Sequence, residues 1–234
     1  MVLFQLNLTR IIQIYIVQGL SFLFFLLIVY KSLKKSRKRP LIYFSLFFIS
    51  IDIGLFFNFI YAPLTNLSLV LTLNFLTNYF IAFGAIFLTV FCIIIYKHHQ
   101  FNTLKQATLI LIYAVLLFLI ILIPNGVEIS EKTNWHPCWS IYLFLYVIML
   151  LTIMGLIPTL YYSIKILQTF NDETLKKRWR FFIIGTCEYY ILTYAVFLSN
   201  TLDILIFRRS IAIITLILAI TGAIALYYGV IKKF

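Results

Sequence analysis

The chain has 234 residues, of which 63% are hydrophobic and only 11% charged, with a mean hydropathy of +1.04. A soluble domain carries about 25% charged residues, so this chain cannot cover a water-facing surface, and lipid must be the solvent for most of it. The net charge of +12 is interleaved between long apolar runs, which is how membrane topology is encoded and which argues against a nucleic-acid partner.

A bilayer core about 30 Å thick takes about 20 apolar residues in helix. Seven stretches qualify, at about 11–30, 41–61, 68–96, 107–124, 139–164, 179–198 and 208–231. Each is apolar all round, as a lipid-surrounded helix should be, and none alternates like a barrel strand. The sequence therefore predicts an all-α, polytopic seven-transmembrane helix bundle. Residues 1–234 are expected to form a single domain, because no stretch is polar enough to fold as a separate soluble unit.

The first span is followed by KSLKKSRKR, a stop-transfer pattern, and is read as a retained helix rather than a cleaved signal. Pro40 and Pro63 bracket the second span, and Pro124 closes the fourth. Pro158, near one end of the fifth, is expected to kink that span or end it early.

Fifteen of the nineteen Lys and Arg residues fall after the first, third, fifth and seventh spans; Arg10, Lys132, Arg208 and Arg209 are the exceptions. The positive-inside rule then places the N-terminus outside and the C-terminus inside, in a multi-pass protein of the cell membrane. The longest outer loop is PNGVEISEKTNWHPCW, with Trp135, His136 and Cys138. Cys92 and Cys187 lie within spans, out of reach of Cys138, so no disulfide framework is expected.

The inventory leaves little for catalysis. His98 and His99 are neighbours in an inner loop and His136 is in an outer one, so no histidine within a span can build a zinc site or a dyad. There is no H-E-x-x-H and no P-loop. The seventh span holds no lysine for a retinal Schiff base, since Lys232 and Lys233 lie past its end. No enzyme activity, cofactor or metal is expected.

What remains is polar chemistry at mid-depth. Asp52 lies ~16 Å and Glu188 ~14 Å from the inner side, and Asn78 lies ~15 Å from the outer side, by the rise of an α-helix. Asn74 shares a helix face with Asn78. A carboxylate facing lipid at this level costs several kcal/mol, so Asp52 and Glu188 are expected to face protein or water. Glu188 shares a face with Gly185, Ala195 and Ser199. It is expected to face the bundle interior near the level of Asp52, within reach of a polar group of the second or third span. Arg208 and Arg209, against the topological bias, are candidates for an anion-attracting outer mouth bounded also by Trp135. Each of these groups also has a plainer reading: the polar residues as hydrogen-bonding glue between helices, the arginines as headgroup anchors.

The stretch NDETLKKRWRFFIIG, which opens the sixth span, and ALYYGVIKKF, which ends the seventh, resemble the seven-helix sensor region found in front of many bacterial and archaeal histidine kinases. The matching positions are Lys176, Lys177, Arg178, Arg180, Gly185, Ala223, Ala225, Tyr227 and Tyr228, within residues 160–234. The resemblance implies a sensor with no catalytic residue of its own. With no kinase or cyclase domain after Phe234, the expectation is signalling through a partner, or a fragment. Three functions stay open: a receptor-like sensor of a small ligand or lipid from the outer side, a small proton-coupled transporter using Asp52 and Glu188, and a structural membrane subunit. The expected partners are the lipid bilayer and a cytoplasmic or membrane signalling protein, with oligomers allowed.

Overall fold

The computed structural model describes residues 11–97, 100–202 and 204–231. Seven of its helices are long and apolar enough to cross a membrane: α1 (Ile12–Lys35), α2 (Arg39–Tyr61), α3 (Leu67–Tyr96), α4 (Thr103–Leu122), α5 (Ile141–Thr169), α6 (Glu173–Leu202) and α7 (Ile206–Val230). The protein is thus an all-α polytopic membrane protein. Arg10, His98, His99, Asp203, Lys232 and Lys233 lie outside the described residues.

Several helices outrun their apolar runs. α1 continues to Lys35, α5 to Thr169, and α6 starts at Glu173 and ends at Leu202. A helix has no reason to stop where the hydrocarbon does, because its backbone bonds are internal; it stops where a cap or a breaker appears. The Asn66 side chain accepts from the Leu69 N–H to start α3, and Asn102 accepts from Lys105 N–H to start α4.

α3 is the axis. Within its most apolar window 67% of the residues are buried, against 17% for α4, so α4 is a lipid-facing outer helix. α2 and α3 come close at two glycines. A Cβ on Gly54 would stand 2.8 Å from the Thr77 carbonyl oxygen, and one on Gly84 would stand 3.2 Å from that of Phe47. α6 and α7 form a second tight pair in the same way. A Cβ on Gly185 would stand 2.6 Å from the Gly222 carbonyl oxygen, and one on Gly229 would stand 2.7 Å from Phe182 N. Small residues let backbones approach where apolar burial alone drives no association.

Pro158 does not end the fifth span. α5 runs through it, with a π-helical stretch at Leu151–Leu156 just before it. Proline has no N–H for the carbonyl four residues back, here Met154. The wider π turn re-routes the local bonds, and the Thr89 hydroxyl of α3 lies 3.2 Å from the Met154 and Gly155 carbonyl oxygens. Thr89 and Thr159 also meet at 2.8 Å, and Cys92 and Ser163 at 3.3 Å. A seam of small hydroxyl and thiol groups thus joins α3 to α5.

The connection between α4 and α5 folds as a short antiparallel ribbon. β1 (Val127–Glu128) pairs with β2 (Cys138–Trp139), Val127 opposite Trp139. This ribbon marks one face of the bundle. The turn between α1 and α2 and the start of α6, rich in Lys and Arg, mark the other, called here the basic face. There the Lys35 ammonium donates to the Val230 and Ile231 carbonyl oxygens, and Arg178 donates to that of Val230. Two cations therefore hold the C-terminal end of α7, where helix carbonyls are unpaired and the dipole is negative.

Candidate functional site

A cavity of about 110 Å³ lies inside the bundle. Its walls come from α1 (Gln18, Ser21, Phe25), α2 (Phe48, Ile51, Leu55), α6 and α7, with Ile81 of α3 behind. Aromatic residues fill one side, whereas α7 presents Ala219, Gly222 and Ala223 on the other. The small residues that let α7 meet α6 also leave the space. Along α6 the lining runs from Gly185 to Phe197, twelve residues or ~18 Å of helix, so the cavity is a slot lying along the membrane normal.

The slot is apolar except at one level. Of its polar lining groups, three bond backbone carbonyls: Ser21 donates to Val17 at 3.0 Å, Tyr189 to Ile81 at 2.9 Å and Thr193 to Tyr189 at 2.8 Å. Gln18 accepts at Oε1 from the Asn58 amide, which leaves its own NH2 group to donate. Thr215 completes the set.

Asp52 is 4% exposed, and neither of its carboxyl oxygens has a hydrogen-bond partner among the described residues. Phe48, one turn before it, packs on Phe25, and Phe59, two turns after, packs on Phe22. Residues four and seven apart share a helix face, so Asp52 looks towards α1. Ile51, beside it, lines the slot.

Glu188 departs from expectation. Its face does carry the close approach at Gly185, but the helix that approaches is α7, not the second or third span. A Cβ on Gly222 would stand 3.2 Å from both Cβ and Oε2 of Glu188, and that oxygen is buried with no partner among the described residues. The two carboxyls therefore sit in different helix pairs, Asp52 against α1 and Glu188 against α7. Helical periodicity gives the face of a residue and says nothing of which helix covers it.

Asn74 and Asn78 stay on one face, as expected. The Asn74 amide donates to the Tyr61 hydroxyl at 3.0 Å, and Asn78 donates to the Asn74 carbonyl at 2.8 Å. Both line a second cavity, about 50 Å³, beneath the ribbon, together with Trp139, whose indole N–H is buried without a partner among the described residues.

The outer-mouth residues do not meet at either cavity. Arg208 donates to the carbonyl oxygens of Ser199 (3.1 Å) and Pro137 (2.8 Å), and reaches the Cys138 sulfur at 3.7 Å. It ties the end of α6 to the ribbon. Arg209 is exposed. Trp135 adopts a left-handed backbone with φ 57° and packs on the cluster around Tyr61, Leu64, Val70 and Ile129.

Sequence reasoning missed the slot itself, together with Gly222, Thr89 and Thr159. The spacing Ala219, Gly222/Ala223 on α7 was the available signal, a small-residue face at helical period. Among the described residues no group of three or more His, Cys, Asp or Glu side chains could hold a metal ion. Comparison with protein-family models, with curated proteins and with solved structures gives no match for this chain.

Proposed function

We propose that this membrane protein is a receptor-like sensor in which the slot takes a small apolar ligand or lipid and α7 carries the response to the basic face. The observation that supports this reading is the sharing of α7 between two places. It forms one wall of the slot, and its far end is held by Lys35 and Arg178. A ligand that displaces the wall would change those contacts, and a ligand can shift a conformational equilibrium only through such differential contacts. With positive-inside orientation, the basic face is cytoplasmic and meets a signalling partner. The resemblance of the α6 opening and the α7 ending to kinase-linked sensor regions supports the same reading.

The test needs no identified ligand, because a side chain can serve as a surrogate occupant. Ala219→Phe fills the slot from α7. Cysteines at positions 35 and 231, in a background lacking the three native ones, report whether the basic end of α7 moves, through their rate of disulfide formation in proteoliposomes. A changed rate with Ala219→Phe, and none with Ile217→Phe on the exposed face, is the expected outcome. Equal rates would leave the bundle a structural subunit.

One observation favours a second reading. A buried carboxyl with no hydrogen-bond partner among the described residues, Asp52, stands next to a slot residue, and intramembrane carboxyls are rare outside proton and ion pathways. A proton-coupled carrier would lose uptake-linked acidification in the vesicle lumen on Asp52→Asn, whereas a sensor would not.

A further inference from the structure

The chemistry of the slot narrows its occupant, on the reading above that the slot is a ligand site. We propose that it holds one long hydrocarbon chain carrying an acceptor head group, such as a fatty acid or a monoacyl lipid, with the chain along α6 and the head between α1 and α7.

Length is the first argument. The slot extends ~18 Å along α6. One leaflet of a bilayer core is half of about 30 Å, so the slot is the length of one leaflet's chain. At about 110 Å³ the slot is narrow for that length, so it suits a single unbranched chain for which its walls part, and an apolar cavity of this kind does not hold water well.

The second argument is how its polar atoms are spent. Ser21, Tyr189 and Thr193 line the slot, but each donates its hydroxyl to a backbone carbonyl. Along that length a ligand meets methyl, methylene and ring surface. Gln18 keeps an amide NH2 group, and no hydrogen bond occupies the Thr215 hydroxyl among the described residues.

Register brings these two groups together. α1 and α7 run parallel, with Lys31 over the Tyr227 ring and Lys35 on the Ile231 carbonyl. Carrying that offset along both helices sets Gln18 level with the residue before Thr215. The two donors, both lining the slot, therefore lie at similar depth on its ribbon side. α1 and α7 touch sparingly compared with the glycine-locked α6–α7 pair, so the line where they meet is the natural lateral entrance from the bilayer. A head group with a carbonyl or carboxylate oxygen would accept from both donors there, while its chain lies against Phe25, Ile51 and Val196.

The measurement is native mass spectrometry of the detergent-purified protein with palmitic acid, 1-palmitoyl lysophosphatidylcholine and octanoic acid as separate probes. Quenching of tryptophan fluorescence by brominated palmitic acid gives the affinity, since Trp139 stacks on the slot residue Phe197 at 4.7 Å. Palmitic acid should bind roughly tenfold or more tightly than octanoic acid, because the longer chain buries more methylenes. Ala219→Phe and Val196→Phe, from two different walls, should each abolish binding, and Ile217→Phe should not. Gln18→Leu combined with Thr215→Val should weaken palmitic acid by about tenfold, the scale of a lost hydrogen bond.

Binding of palmitic acid by both filled variants as tightly as by the native protein would overturn the proposal, as would equal binding of the short and long chains. Lysolipid binding without palmitic acid would assign the head to a phospholipid rather than a free acid and would support it. Failure of the sensor reading is separate. If palmitic acid binds but leaves the cross-linking rate between positions 35 and 231 unchanged, the ligand stands and the signalling role falls. If filling the slot changes that rate but no chain binds, the ligand class falls alone.

Discussion

The carbonyl oxygen of Gly222 lies 2.6 Å from the point where a side chain on Gly185 would begin. Two helices are locked here by the absence of atoms. Gly185→Ala should therefore lower stability by about 1–3 kcal/mol, the range for overpacking. Gly19→Ala, with nothing within 4 Å of its added carbon, should be neutral or slightly stabilising. Denaturant titration in mixed micelles compares the two; equal costs would mean that α6 and α7 are not in contact at Gly185.

Thr89 and Pro158 should be energetically coupled. Thr89→Val removes the hydroxyl near the Met154 and Gly155 carbonyls, at an expected cost of about 1–2 kcal/mol. Pro158→Ala restores an N–H for Met154, so the same Thr89→Val change should then cost less. A double-mutant cycle measures the difference, and a coupling near zero would detach the hydroxyl from the proline's lost bond.

Asp52 should stabilise the protein when replaced. Neither carboxyl oxygen has a partner among the described residues, so Asp52→Asn removes a costly group without breaking a bond and should raise stability by about 1–3 kcal/mol. Glu188→Met should raise it less, because Glu188 is only half-buried. A destabilised Asp52→Asn protein in unfolding experiments would show that the membrane-embedded carboxyl is bonded after all.

The two neighbouring arginines should behave differently. Arg208→Ala removes the link from the α7 start to Pro137 and Ser199, worth about 1.5–3 kcal/mol for bonds to a charged donor, and limited proteolysis should then cut the 127–139 loop faster. Arg209→Ala should leave the digestion pattern unchanged. Equal protection in both variants would reassign Arg208 to the headgroups.

Much of the architecture is legible from composition, because lipid demands long uninterrupted apolar helices and the chain has seven. Asp52 was readable as inward for the same reason: at that depth no other direction is tolerable. The partner of Glu188 was not readable, since every wall of the bundle is apolar and only packing decides which helix lies opposite. That Pro158 would not end its span was not readable, because Thr89 meets the freed Met154 carbonyl from far away in the chain and is unremarkable beside other threonines. The slot was the least legible of all. It is a property of four helices at once, and each contributes residues that look, singly, like ordinary core.

That the slot's walls are α1, α2, α6 and α7, with Lys35 of α1 gripping the end of α7, has a consequence for biogenesis. The helix pair α1–α2 enters the membrane early and waits with an open flank while four further helices are inserted. Only when α7 arrives can the flank close and the ammonium of Lys35 find its carbonyls. A half-made chain thus offers the bilayer an unsealed side with Asp52 behind it. The grip of Lys35 on α7 thus forms only after α1 has waited for six helices to follow it.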